Sequence, residues 1–249
     1  MNKTLIAFVT VGLGALAFLL FKNQGGSPPS PQSQPQTQQS ISKDEFLSPK
    51  KSAHYESNAP DHGAILAGVP INVVIDFNFD LAKGSDIKIT KEGLDYAKGE
   101  TVIDSNNLAM RRKIDSNSPD GIYTTLYKAC WADGSCHDGQ FQFKIDQSLS
   151  SDFIDLTGKK EVTINLQNFA FSPQKVKVSK ETKVTWVNQD NDVHTVNTDS
   201  HPGHTYFLNQ NSRDLSEGDS YSVTFTDVGI YLYHCTPHAA TMHGQILVE

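Results

Sequence analysis

Alternation of apolar and polar residues from residue 53 onward, with no long helical period there, narrows the folds open to this chain more than any other feature. Ile71, Val73, Ile75, Phe77 and Phe79 alternate with Asn72, Val74, Asp76, Asn78 and Asp80. A period of two sends successive side chains to opposite faces, so the run predicts a strand with one buried face. Phe141, Phe143 and Ile145 repeat the pattern, and turn signals at Lys83-Gly84-Ser85, Lys98-Gly99, Ser118-Pro119-Asp120-Gly121 and Asp133-Gly134-Ser135 separate short strands. Residues 53–147 therefore read as one β-sandwich. A short hinge is expected over 147–158. Alternation resumes at Val162, Ile164 and Leu166, at Val176 and Val178, and at Tyr221, Val223 and Phe225, which predicts a second sandwich over 159–249. The expected class is all-β, two tandem β-sandwich domains.

The N-terminal fifty residues differ in kind. Lys3 precedes a seventeen-residue uncharged run from Leu5 to Phe21, closed by Lys22. As a helix it would span about 25 Å, short of a bilayer core of about 30 Å by an amount that flanking lysines make up by snorkelling. Residues 1–22 are expected to be an uncleaved transmembrane anchor. The competing reading is a signal peptide cut after Ala15-Leu16-Ala17, which would leave the apolar Phe18-Leu19-Leu20-Phe21 as the new terminus. No cysteine precedes Cys130, which excludes a lipidated N-terminal cysteine. Residues 23–50, rich in Gly, Ser, Pro and Gln, bury too little to offset ordering entropy and are expected to be a flexible tether. Either reading of the N-terminus puts the rest of the chain on the extracytoplasmic side, periplasmic or at the cell surface.

The net charge of −7 and the absence of a basic stripe disfavour nucleic acid as a partner. Arg111-Arg112-Lys113 reads as a solvated turn.

Chemistry concentrates in Tyr231-Leu-Tyr-His-Cys-Thr-Pro-His-Ala-Ala-Thr-Met-His-Gly244, where Cys235, His238 and Met242 follow at intervals of three and four. One loop thus delivers a thiolate, an imidazole and a thioether. His194, forty-one residues upstream of Cys235, is the natural second imidazole. Two histidines and a cysteine with a weak axial methionine form the ligand set of a type 1 copper centre. Zinc is disfavoured, because a structural zinc site usually pairs cysteines and has no use for a thioether. Cys235 shares the parity of Tyr231 and Tyr233, so its sulfur is expected to point inward. Of three cysteines, Cys130 and Cys136 lie across a turn and are expected to form a disulfide in an oxidising compartment, leaving Cys235 free for metal.

From about Lys159 the chain resembles the plastocyanin and amicyanin class of cupredoxins, a Greek-key sandwich. The resemblance rests on Phe171-Ser-Pro173, Val184-Thr-Trp-Val-Asn188, Asn191-Asp-Val-His-Thr-Val196 and Tyr233-His-Cys-Thr-Pro-His238. It implies copper ligation by His194, Cys235, His238 and Met242. The Cys235-to-Met242 spacing falls between the amicyanin-like and plastocyanin-like loops, and His243 is a neighbouring competitor for the Met242 position. The resemblance also implies that electrons leave through His238, with Pro237, Ala239 and Ala240 as a docking patch for a donor and an acceptor protein.

Residues 54–146 resemble the CopC family of exported copper-binding Ig-like β-sandwiches, through His54-Tyr-Glu-Ser-Asn-Ala-Pro-Asp-His-Gly63, Gly121-Ile-Tyr123 and Asp133-Gly-Ser-Cys-His-Asp-Gly139. That family binds Cu(II) with an N-terminal histidine and an Asp-x-His pair. Here Asp133 matches, Ser135 stands at the histidine position, and His137 is the nearest substitute. The second copper site so implied consists of His54, Asp133 and His137. Three other histidines read as spectators. His234 has the outward parity, and His201 and His204 read as solvated loop residues. Alternatives kept open are a second copper on His234 and a loose metal on the loop pair.

Two functions fit. One is a membrane-anchored carrier of single electrons; the other is a copper-binding or delivery protein for copper homeostasis or resistance. A multicopper oxidase or nitrite reductase is disfavoured, since paired His-x-His segments are absent, and no enzymatic turnover is expected.

Overall fold

The structure, a computed structural model, describes residues 46–249, so the expected anchor over 1–22 and most of the expected tether lie outside the described residues. The first sandwich contains β1 (Tyr55–Ala59), β2 (Ile65–Leu66), β3 (Val73–Phe77), β4 (Asp86–Lys91), β5 (Leu94–Asp95), β6 (Ala97–Ile103), β7 (Ala109–Ile114), β8 (Gly121–Cys130) and β9 (Cys136–Ile145). One sheet has the order β1-β3-β7-β6 and the other β2-β9-β8-β4-β5. Ile75, Phe77, Ile87, Ile89, Tyr123, Phe141 and Phe143 fill the space between them. The longest hairpin, β8–β9, is closed at its tip by the Cys130–Cys136 disulfide.

The second sandwich contains β10 (Ile154–Asp155), β11 (Glu161–Gln167), β12 (Ala170–Ser172), β13 (Lys175–Val178), β14 (Lys183–Asn188), β15 (Asn197–Thr198), β16 (Ser220–Thr224), β17 (Gly229–His234) and β18 (His243–Val248). Its sheets run β12-β11-β14-β16 and β10-β13-β18-β17-β15. The expected alternation holds on β11, where Val162, Ile164 and Leu166 are buried and Glu161, Thr163 and Gln167 exposed. The core is Ile164, Leu166, Val176, Val184, Trp186, Phe225, Tyr231 and Tyr233, and Cys235 and Met242 sit at one end of it.

Three expectations are corrected, and one cause underlies them. The strand expected to have one buried face, β3, has all five residues buried, including Val74 and Asp76, while Phe79 is 50% exposed. The segment expected to be a hinge is ordered: a 3-10 turn at Gln147–Asp152 leads into β10, which pairs in parallel with β13, and Phe153 is buried in the first core. On β17 every residue is buried. Tyr231 and Tyr233 belong to the second core, while Ile230 and Leu232 join the first. The two sandwiches pack against each other, so the faces that the alternation assigns to water are covered by the neighbouring domain.

Candidate metal centre

Cys235 follows the last residue of β17 and keeps the inward parity of Tyr231 and Tyr233, so its sulfur enters the second core with no solvent exposure. The chain then turns tightly. The His238 amide donates to the Cys235 carbonyl at 2.9 Å, and the Cys235 amide donates to the Met242 carbonyl at 3.0 Å. The loop is thereby closed on itself, with Met242 buried beneath it. His194 arrives from the other sheet after β14 and is held by backbone bonds in both directions with Leu215. The buried Asn188 amide group donates to the Asp192 and Leu215 carbonyls and its oxygen accepts from the Asp190 amide, which fixes the path into His194.

The result is convergence. Cys235 Sγ lies 3.5 Å from His194 Nδ1 and 3.5 Å from His238 Nδ1. Metal bonds of about 2.0–2.3 Å space neighbouring nitrogen and sulfur donors about 3.3–3.8 Å apart. Both sulfur–nitrogen spacings fit one shared ion, and all three ligand atoms lie within 4.8 Å of one another. A single buried thiolate, two imidazoles and a thioether suit copper better than a structural zinc.

Two neighbours tune the set. Burial pushes the Cys235 thiol up, against the Thr195 amide, which donates to the sulfur at 3.3 Å. Metal entry must therefore displace a proton. Asp190 Oδ2 lies 2.9 Å from His194 Nε2 and accepts its hydrogen, which leaves Nδ1 facing the sulfur. The same carboxylate accepts the amides of Asn168 and Phe169 at 2.8 and 3.0 Å, and both residues have positive φ. This places the Phe169 ring edge-on to the imidazoles of His194 and His238. Nothing in the alternation marks Asp190 or Phe169; only the fold brings them to the centre.

Burial works to raise the Asp190 pKa, but the Phe169 and Asn168 amides and His194 outweigh it, and the net shift is downward. A depressed folded pKa means the carboxylate stabilises the fold above the ordinary value near 3.9, and this is lost as pH falls through the folded value. Asp190→Asn is expected to lower the thermal midpoint of the metal-free protein at pH 6. Thermal scans across pH check this; the gap from wild type should narrow as pH falls below the ordinary carboxylate value and through the depressed folded one.

The other candidates are placed differently. His54 stacks on Phe79 at 4.7 Å, and both His54 and His137 meet the Trp131 indole edge-on. Asp133 accepts the amide and hydroxyl of Ser135. Among the described residues two groups of three or more His, Cys, Asp or Glu side chains bring their ligand atoms within 4.8 Å of one another, and His54, Asp133 and His137 are not one of them. One group is His194, Cys235 and His238; the other is His201, His204 and His234. His234, expected to point outward, is 1% exposed, because its face of β17 is covered by the loop carrying His201 and His204. Burial, then His234 and His201, push the His204 imidazole down to about 4. The reading of that loop as solvated holds for His201 alone.

Residues 158–249 match the family of copper binding proteins of the plastocyanin/azurin type, and residues 55–146 match the CopC domain. The chain is 35% identical over 104 residues to halocyanin of Natronomonas pharaonis, which spans 39% of this chain and 62% of that protein. It is 28% identical over 88 residues to amicyanin of Paracoccus denitrificans, covering 35% of this chain and 65% of the relative. It is 31% identical over 86 residues to amicyanin-alpha of Methylorubrum extorquens, covering 34% and 70%. The match thus spans less than two thirds of the first two relatives.

Proposed function

This chain belongs, through residues 158–249, to the plastocyanin/azurin family of copper binding proteins, and from that premise we propose that it is a blue copper protein that carries single electrons outside the cytoplasm. The observation that carries the reading is the placing of one buried sulfur at 3.5 Å from each of two imidazole nitrogens. His194, Cys235, His238 and Met242 are the ligands. Copper held there would supply one-electron exchange between its +1 and +2 states. The chain's own part is to keep the donor set fixed through that exchange. Cys235 is locked by the Thr195 amide, His194 by Asp190, and the loop by its internal backbone bonds.

His238 is half-buried, with exposed Pro237, Ala240 and Phe169 beside it. A redox donor or acceptor docks on this apolar rim and exchanges the electron through the His238 ring. The apolar run near the N-terminus anchors the chain in a membrane, and the Pro/Gln-rich segment gives it reach.

A second reading, copper delivery, draws support from the CopC domain at 55–146. Copper loading separates the two. The carrier reading expects an intense thiolate-to-copper absorption that bleaches reversibly on uptake of one electron, and a copper content that His54→Ala leaves unchanged. A colourless Cu(II) complex defeats the carrier. Loss of one copper per chain in His54→Ala favours delivery.

A further inference from the structure

Three histidines outside the Cys235 centre converge on a point of their own. His234 Nε2 lies 3.3 Å from His201 Nδ1 and 3.3 Å from His204 Nε2. A tetrahedral ion with imidazole bonds of about 2.0–2.1 Å spaces its nitrogens about 3.3–3.4 Å apart. The ring centroids are 5.1–5.7 Å apart, farther than the nitrogens, so the rings splay outward from a common point.

Hydrogen bonding alone accounts for this geometry poorly. His234 Nδ1 lies 2.7 Å from Asp199 Oδ1. A carboxylate only accepts, so Nδ1 carries the ring hydrogen and Nε2 presents a lone pair. That one lone pair faces two further ring nitrogens, of which it can accept a good hydrogen bond from one. Thr236 Oγ1, 3.1 Å from His204 Nε2, also has Asn197 Oδ1 as an acceptor at 3.1 Å. A shared cation satisfies all three imidazoles at once.

The loop is also built to hold this arrangement. Strand β15 pairs with β17 so that Asn197 lies opposite His234. Beyond it, Ser200 and Thr205 donate hydroxyls to Asp76 of the first sandwich, and the Tyr206 hydroxyl donates to the Ile230 carbonyl at 2.6 Å. Asn211 holds the His204 carbonyl at 3.1 Å. His201 is exposed and His204 half-buried, so the point of convergence is open to water on one side.

We propose that His201, His204 and His234 form a second metal site, taking Cu(II) or Zn(II) on three imidazoles and leaving the fourth position to water or a small ligand. Imidazole suits both ions, and Cu(II) binds the tighter of the two. Asp199 is the positioning residue, fixing the His234 ring and raising its basicity. His234 and Cys235 are consecutive on opposite faces, so the two metals stand on adjacent residues of one chain segment.

Cu(II) titration of the untagged full-length chain carrying Cys235→Ser tests the site by calorimetry and paramagnetic resonance. One equivalent is expected, with nitrogen hyperfine structure and no intense visible band. Adding His201→Ala and His204→Ala should weaken it by more than about 100-fold, and Asp199→Asn by about 10–100-fold. Failure of the Cys235→Ser chain to bind Cu(II), or binding that the two loop substitutions leave unchanged, overturns the site. Neither result touches the Cys235 centre, whose own band is read on the unsubstituted chain.

Discussion

Cys235→Ser is expected to remove the visible band and the one-electron response completely, while the fold survives. The loss is total because the colour arises from a sulfur anion bonded to the ion, and a serine hydroxyl stays protonated where a thiol gives up its proton to the metal. The two imidazoles remain, 5.0 Å apart between ring centres, but imidazole alone gives no thiolate absorption. The fold survives for two reasons. Serine is smaller than cysteine, and the Thr195 amide that reaches the sulfur at 3.3 Å offers its hydroxyl a partner. A buried hydroxyl without a partner costs about 1–3 kcal/mol, and the Thr195 amide offsets part of that. Visible absorption and far-ultraviolet dichroism, measured on copper-loaded protein, check both halves. An intense band persisting in the variant would refute the ligand assignment.

Asp76→Ala is expected to be strongly destabilising although it lies away from the Cys235 centre. Asp76 is 2% exposed. It accepts hydroxyls from Ser57 at 2.7 Å and Thr205 at 2.6 Å, and a third from Ser200. Gly203 lies against the carboxyl so closely that a β-carbon there would stand 2.6 Å from it. Beside it Arg111, paired with Asp104, donates to the Thr205 carbonyl at 2.8 Å. Removing the carboxylate leaves three hydroxyls, two of them on buried residues of the second sandwich, without their acceptor. Hydrogen bonds to a charged group contribute about 1.5–3 kcal/mol each, and because the freed hydroxyls find water or other partners the loss is not additive, so roughly 2–4 kcal/mol is expected. In a chain of this size that lowers the thermal midpoint by about 5–15 °C. Asp76→Asn, which keeps one acceptor oxygen, should recover part of the loss. A midpoint within about 1 °C of wild type for Asp76→Ala would show that the contact stabilises nothing.

What the sequence discloses follows from how local each constraint is. Cys235, His238 and Met242 are legible because a single turn of chain presents them, and their spacing survives whatever surrounds the loop. His194 is legible as the imidazole that follows the β14 strand. Asp190 and Phe169 are not, because their roles depend on a carboxylate reaching two amides across a loop crossing. The two-faced strands misled for a related reason. A period of two reports which residues share a face; it does not report whether a second domain covers the other face. Traces of the cover were present. Val74 interrupts the polar positions of β3, and Ile230 and Leu232 make Gly229–His234 an apolar run rather than an alternation, the pattern of a strand buried on both sides. The sequence leaves a metal on His234 and one on His201 and His204 as separate alternatives; their joining into one group is not legible, since the pairing of β15 with β17 has no counterpart in residue spacing.

The wall shared by the two sandwiches has a thermodynamic consequence. Strand β17 gives Tyr231 and Tyr233 to one core and Ile230 and Leu232 to the other. Melting either core therefore strips one side of the same strand, and the pair should lose structure as a single cooperative block. Any ion that binds only the folded form protects the whole block by mass action. Loading the Cys235 centre thus shields the first sandwich from heat and proteases, even though that sandwich contributes no ligand to it.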